Sequence, residues 1–252
     1  MENKDLEKLV SHVKEQDICY TSYGTHMYSK LWYVSNKHKI CINFTPRGGC
    51  SVSFQQFLDL NNLLCDGLQY NPFIHKYRVQ ILCPNIDYCN IDKLIEQKYT
   101  FVKFITNPYI RAVSIYRAQT SHNLSFRNYL KQLINNKIDY FNNNDKYHLH
   151  TQYIDGEENI ITKYIKIDKN ETYPIKLFDG TLYTLDVSKY SSIHHGIKNI
   201  NNVNFCGDIP KNFINKNLPK TYKYFYDDEI QKMVEIVYGK DIQHYNYSFD
   251  DF

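Results

Sequence analysis

The chain has 252 residues, with 30 Lys and Arg against 27 Asp and Glu and a formal net charge of +3. That excess is too small to argue for a nucleic-acid partner, and no apolar run approaches the roughly 20 residues of a membrane-spanning helix. Apolar residues at 42% and 24 tyrosines predict a globular fold with many half-buried phenol rings.

Residues 3–16 carry Leu6, Leu9, Val10 and Val13 at helical spacing and predict a charged amphipathic helix. MYSKLWYV (27–34) and HKICINF (38–44) read as strands joined through Ser35-Asn36-Lys37 in a hairpin. From Ser51 to Leu68 the pattern turns helical, through Phe54, Phe57, Leu58, Leu60 and Leu64, with Gly67 as the stop. Tyr77–Cys83 (YRVQILC) predicts a second strand, Ile91–Gln97 a short helix and Tyr99–Ile105 a third strand. Pro108 opens a helix over Tyr109–Ala118, and another follows at Leu124–Asn135. Asn136–Asn144 is polar and reads as a loop. Asp179-Gly180 within IKLFDGTLYTLDV (175–187) marks a hairpin. Asn199–Asn217 is irregular, and Asp227–Tyr238 is a final amphipathic helix. Alternating strands and helices without a visible linker predict one α/β domain around a mainly parallel sheet.

Seven cysteines, at 19, 41, 50, 65, 83, 89 and 206, include no CxxC pair. The N-terminus is charged rather than apolar, so the cysteines are expected mostly as reduced thiols and the location as cytoplasmic.

Two segments carry chemistry. CINFTPRGGCSVSFQQF (41–57) is a strand that empties through Pro46, Arg47, Gly48 and Gly49 into a helix beginning with Cys50, Ser51 and Val52. Helix N-termini at strand ends present orphan amides to anions, and glycines let a ligand approach the backbone. Arg47 adds a cation and Ser51 a hydroxyl. The GxxxxGK[ST] loop of nucleoside triphosphatases is absent. Alone, this stretch fits a tight turn as well as an anion site. The second segment, FVKFITNPYIRAVSIYRA (101–118), ends a strand at Thr106-Asn107-Pro108. It then places Arg111, Ser114 and Arg117 along one helical face. Those two cations and a hydroxyl describe another anion pocket, or a solvated basic face.

PRGGCS followed by TNPYIRAVSIYR resembles the paired motifs of the sulfotransferases that use 3′-phosphoadenosine-5′-phosphosulfate (PAPS), especially the carbohydrate, Golgi-type branch. There the first motif runs Pro-Lys-x-(Gly/Ala)-Cys/Ser-Thr/Ser and cradles the 5′-phosphosulfate. The second runs Val-Arg-Asp-Pro-(Phe/Tyr)-Glu-Arg-Leu-Val-Ser-x-Tyr-Arg and holds the 3′-phosphate. YHLHTQY (147–153) is similar to the family's His-x-x-x-Gln segment, and 224–247 to its C-terminal helix. The resemblance implies a P-loop-like sulfotransferase fold, with residues 1–37 as an extension and 38–247 as the core of a single domain over 1–252. It implies that Pro46–Val52 wrap the 5′ end of PAPS and that Ser114 contacts the 3′-phosphate. It departs at Arg47, where the family has Lys, and at Thr106-Asn107, where the family has the Arg-Asp that grips the 3′-phosphate. Arg111 or Arg117 is the expected substitute.

In-line sulfuryl transfer needs charge stabilisation and positioning. Arg47 is expected to neutralise the leaving oxygen, and the amides of Gly49, Cys50 and Ser51 to hold the anionic oxygens. His75 is the first candidate for the base that deprotonates the acceptor, and His148 the second. His148-x-His150 lacks a third ligand, so no metal is expected. Cys50 raises the question of a nucleophile. Cysteine-phosphatase loops, however, place the cysteine before the glycines, and Cys50 is read as a packing residue. The expected acceptor is a glycan or another small hydroxyl-bearing molecule, with no nucleic acid and no membrane anchor. The alternative is an inactive nucleotide- or glycan-binding module of the same fold. A kinase-like transferase is disfavoured because GK[ST] and acidic magnesium ligands are missing.

Overall fold

The computed structural model describes residues 3–22, 31–119, 122–136, 141, 146, 148–169, 171–190, 205–214 and 222–251. It divides into two compact units, Met1–Ile105 with Ile154–His194, and Thr106–Tyr153 with His195–Phe252. The chain passes between them directly at Ile105–Thr106 and Tyr153–Ile154, with no compositional linker at either point.

The first unit is mixed α/β, a mostly parallel central sheet flanked by helices. Its strands are β1 (Ile18–Ser22), β2 (Leu31–Ser35), β3 (Ile40–Phe44), β4 (Asp87–Tyr88), β5 (Thr100–Ile105) and β6 (Lys163–Lys166), in the order β4-β1-β2-β3-β5-β6. β2 pairs antiparallel with β1 and β3, whereas β1–β4, β3–β5 and β5–β6 are parallel. All five residues of β3 are buried, as in a strand covered on both faces, and its one polar residue, Asn43, donates through Nδ2 to the Leu31 carbonyl at 2.7 Å. The hairpin β7 (Thr172–Lys176) and β8 (Leu182–Asp186) forms a separate two-stranded sheet, with Gly180 at φ 86° in its turn. β1 was not foreseen from the sequence, and of the expected strand 27–34 only Leu31–Val34 lies among the described residues.

The helices of this unit include α1 (Asn3–Glu15), α2 (Cys50–Leu60), α3 (Leu64–Tyr70), α4 (Ile74–Tyr77) and α5 (Ile91–Glu96). The helix expected over Ser51–Leu68 is two helices. Asn61 ends the first by donating to the Phe57 carbonyl at 2.8 Å while accepting from Ser35 Oγ at 2.7 Å. Asn62 then takes a left-handed φ of 58°. Gly67 is not a stop but a buried residue inside α3. A Cβ there would meet Ile74 Cδ1 at 2.7 Å and Leu58 Cδ1 at 3.1 Å, so the missing side chain lets three helical segments approach.

Tyr77–Cys83 is not a strand. α4 runs on into a π-helical turn, Arg78–Leu82, and then a 3₁₀ turn, Cys83–Asn85. Burial decides this. Ile74, Tyr77, Ile81 and Leu82 are inside while Val79 is 60% exposed, a helical period that the short apolar run concealed. Of the seven cysteines, Cys19 in β1 and Cys89 just after β4 form a disulfide, and the other five are free.

The second unit is helical among its described residues, with α6 (Pro108–Ala118), α7 (Phe126–Ile134) and α8 (Asp228–Tyr245). Its core is aromatic, built on Tyr109, Tyr116, Phe126, Tyr129, Phe225, Tyr226 and Tyr238. α8 extends seven residues beyond its expected end at Tyr238, where the backbone leaves helical values (φ −118°) before the helix resumes. Most of the loop expected over 136–144 lies outside the described residues, as do 199–204 and 215–217 of the irregular stretch expected over 199–217. No helix among the described residues is long and apolar enough to cross a membrane.

Candidate functional site

In the first unit, β3 ends at Phe44, and Thr45 and Pro46 are buried as the chain turns. The Gly48 amide donates to the Thr45 carbonyl at 2.8 Å, closing the turn and using that N–H. Arg47 sits at φ 61°, in the left-handed region that disfavours a side chain. Gly49 follows at φ 85° as the N-cap of α2, with no side-chain capping bond. The first amides of a helix have no intrahelical partner, so those of Cys50 and Ser51 form the positive end of α2. Gly49 is required twice over. Its φ favours glycine, and a Cβ would lie 2.2 Å from Ile167 Cδ1 in the turn after β6.

His75, in the first turn of α4, reaches this loop. Its Nε2 lies 3.0 Å from Ser51 Oγ and 3.4 Å from Cys50 Sγ. With Nε2 unprotonated, both the hydroxyl and the thiol donate to it. Arg78, three residues on, places its guanidinium 5.8 Å from the Phe44 ring centre and 5.9 Å from that of Phe54. Sequence reasoning missed Arg78 because it assigned 77–83 to a strand. The helical spacing of Ile74, Tyr77 and Ile81 was the available signal. Among the donor-loop residues expected from sequence, the structure gathers Pro46, Arg47, Gly48, Gly49, Cys50, Ser51 and Val52 in one turn, with His75 against its helical end.

The remaining expected residues belong to the second unit, and most are engaged in its construction. Asn107 caps α6, its Oδ1 accepting from the Tyr109 amide at 2.9 Å while its Nδ2 donates to the Ser248 carbonyl at 3.3 Å. Thr106 is 3% exposed, and the Gln152 side chain takes both its backbone groups, accepting from N–H at 3.0 Å and donating to C=O at 2.8 Å. Gln152 thus pins the start of α6 to the segment that holds His148. Arg111, 1% exposed, donates through Nη2 to the carbonyls of His150 at 2.7 Å and His148 at 3.2 Å. Its Nη1 lies 3.9 Å from Asp241 Oδ2. The Asp241 carboxylate in turn accepts from the amides of Gln152 and Tyr153, each at 2.8 Å. Arg111 and Asp241 are therefore a buried framework for 148–153, a role not visible in the helical spacing of Arg111.

Ser114 and Arg117 are both half-buried on α6. Burial lowers the Arg117 pKa from its ordinary value, opposed by Tyr222, and its Nε has no hydrogen-bond partner among the described residues. His148 is half-buried, and its carbonyl accepts from Arg111. Among the described residues no group of three or more His, Cys, Asp or Glu is arranged to hold a metal ion.

Comparison of the chain with protein-family models, with curated proteins and with solved structures finds no match in any of the three.

Proposed function

We propose that the chain is a PAPS-dependent sulfotransferase, moving a sulfuryl group in line to a hydroxyl of a carbohydrate-type acceptor. The observation that carries the reading is the turn after β3. A left-handed Arg47, a Gly49 N-cap without a side-chain bond and the first amides of α2 lie at the carboxyl end of a central strand. Ligands of open α/β sheets bind at such ends. Strain held in a non-glycine residue is also a feature of ligand loops.

Arg47 neutralises the leaving phosphate oxygen, and the amides of Gly49, Cys50 and Ser51 hold the anionic oxygens. His75 serves as the base, with Ser51 Oγ at 3.0 Å fixing its imidazole. Arg111 is excluded from phosphate binding because its guanidinium spans two carbonyls and a buried carboxylate.

The engagement of Thr106, Asn107 and Arg111 favours a second reading, a non-catalytic module that binds a nucleotide or glycan weakly. Calorimetry with adenosine 3′,5′-bisphosphate, followed by turnover of labelled PAPS over a glycan panel, separates the two. The first reading expects micromolar binding, weakened at least tenfold in Arg47→Ala, and sulfated product that His75→Ala abolishes. Binding without turnover leaves the module, and no binding at millimolar concentration removes both for this nucleotide.

A further inference from the structure

Cys50 stands apart from the other free thiols. Cys41, Cys83 and Cys206 are held protonated by burial, which raises each thiol above its ordinary range. Cys65 is exposed. Cys50 is half-buried, is the first residue of the eleven-residue helix α2, and has an imidazole nitrogen 3.4 Å from its sulfur. A thiol that reaches solvent and meets a base inside hydrogen-bond range has the parts of an activated nucleophile. The sulfuryl-transfer reading uses His75 as its base but leaves the Cys50 thiol without a role, because it needs only the Cys50 amide.

We propose that Cys50 is a reversibly modifiable thiol, activated by His75, which accepts a small disulfide as a mixed disulfide and so closes the turn at 46–52 to anions. In the step, the Cys50 sulfur attacks one sulfur of the disulfide while its proton passes to His75 Nε2. The disulfide S–S bond breaks, the Cys50–S bond forms, and the departing thiolate takes up that proton. One disulfide is exchanged for another, and the small disulfide is the only co-reactant. A reducing thiol reverses the reaction. The adduct, attached at the first residue of α2, covers the amides that would receive an anion. Closure of the site rests on the donor-loop reading above, whereas the reactivity of the thiol does not.

The test treats the full chain with glutathione disulfide and follows each cysteine by peptide mass mapping. Cys50 is expected to be modified at least tenfold faster than exposed Cys65, and His75→Gln is expected to bring it down to the Cys65 rate. Buried Cys41 reports on folding. If it becomes reactive in His75→Gln, Ser51→Ala replaces that variant. Removing the hydroxyl that shares Nε2 should then speed Cys50, and an unchanged or slower rate overturns the role of His75. A wild-type Cys50 no faster than Cys65 overturns the proposal outright. Adenosine 3′,5′-bisphosphate is expected to protect Cys50, and the glutathione adduct to abolish its binding. A fast Cys50 without protection defeats the donor-loop reading but leaves the thiol chemistry standing. Nucleotide binding without a rate advantage at Cys50 defeats only the thiol proposal.

Discussion

Replacing Gly49 with alanine tests whether the turn after β3 depends on its backbone and on its packing. The φ of 85° is one that an L side chain adopts at a cost of about 1–2 kcal/mol. The added Cβ would stand 2.2 Å from Ile167 Cδ1, 3.2 Å from Cγ2 and 3.3 Å from Cγ1. Rotation of Ile167 moves the first atom but leaves the branch at Cβ close, so about 1–3 kcal/mol of overpacking adds to the strain. Gly49→Ala should therefore lose about 2–5 kcal/mol in urea unfolding followed by circular dichroism. Gly180→Ala supplies the control. Its φ is 86°, but nothing lies within 4 Å of the new Cβ, so only the strain of about 1–2 kcal/mol applies. The difference between the variants isolates the contact with Ile167, and Gly49→Ala in an Ile167→Ala background should recover most of it. The reasoning is refuted if Gly49→Ala is no more destabilising than Gly180→Ala.

Lys103 and Glu157 form an ion pair with both side chains fully buried, and Glu157 also accepts from the Ile154 amide at 3.0 Å. Lys103→Met or Glu157→Gln alone should cost about 3–5 kcal/mol, and the double variant less than either, as a thermal-melting cycle will show. The Cys19–Cys89 disulfide closes a separation of 70 residues, so reduction or Cys89→Ser should lower stability by up to about 4 kcal/mol in denaturant melts. Identical melts with and without reductant would show that the bond contributes nothing. Burial raises the pKa of Tyr129 and Tyr226 well above the ordinary value and that of Tyr238 to about 12. The native state keeps these protons after the unfolded chain releases its own, so stability should fall as pH rises past about 10. Tyrosinate absorbance should then show a fraction of rings titrating only with unfolding. A single smooth titration of all 24 tyrosines would contradict that.

Elements with local signals were legible. Pro108 announces α6 because its fixed φ is already that of a first helical residue. Asp179-Gly180 announces the β7–β8 hairpin because a positive φ at glycine satisfies the turn. Tyr77–Cys83 was misread because a short apolar run is ambiguous between strand and helix until burial is known. Gly67 was misread because its absent Cβ serves contacts with Leu58 and Ile74 rather than chain termination. In the candidate site, the loop 46–52 was legible as a contiguous stretch. Arg78, whose guanidinium lies 5.8 Å from the Phe44 ring centre, was hidden by the strand assignment.

The strand-to-helix turn at Pro46–Val52, the α/β character and the candidate cations are readable from the residues alone, because each depends on neighbours within a few positions. Which of those cations are engaged elsewhere depends on contacts far apart in sequence. Arg111 reaches Asp241, 130 positions away, and Gln152 reaches back to Thr106, contacts that no local spacing encodes. Folding also brings His75 Nε2 within 3.4 Å of the Cys50 sulfur, a contact absent from the packing reading of that cysteine. Burial is the reason for the Arg111 and Thr106 contacts, since polar groups taken from water must find partners wherever the folded chain supplies them.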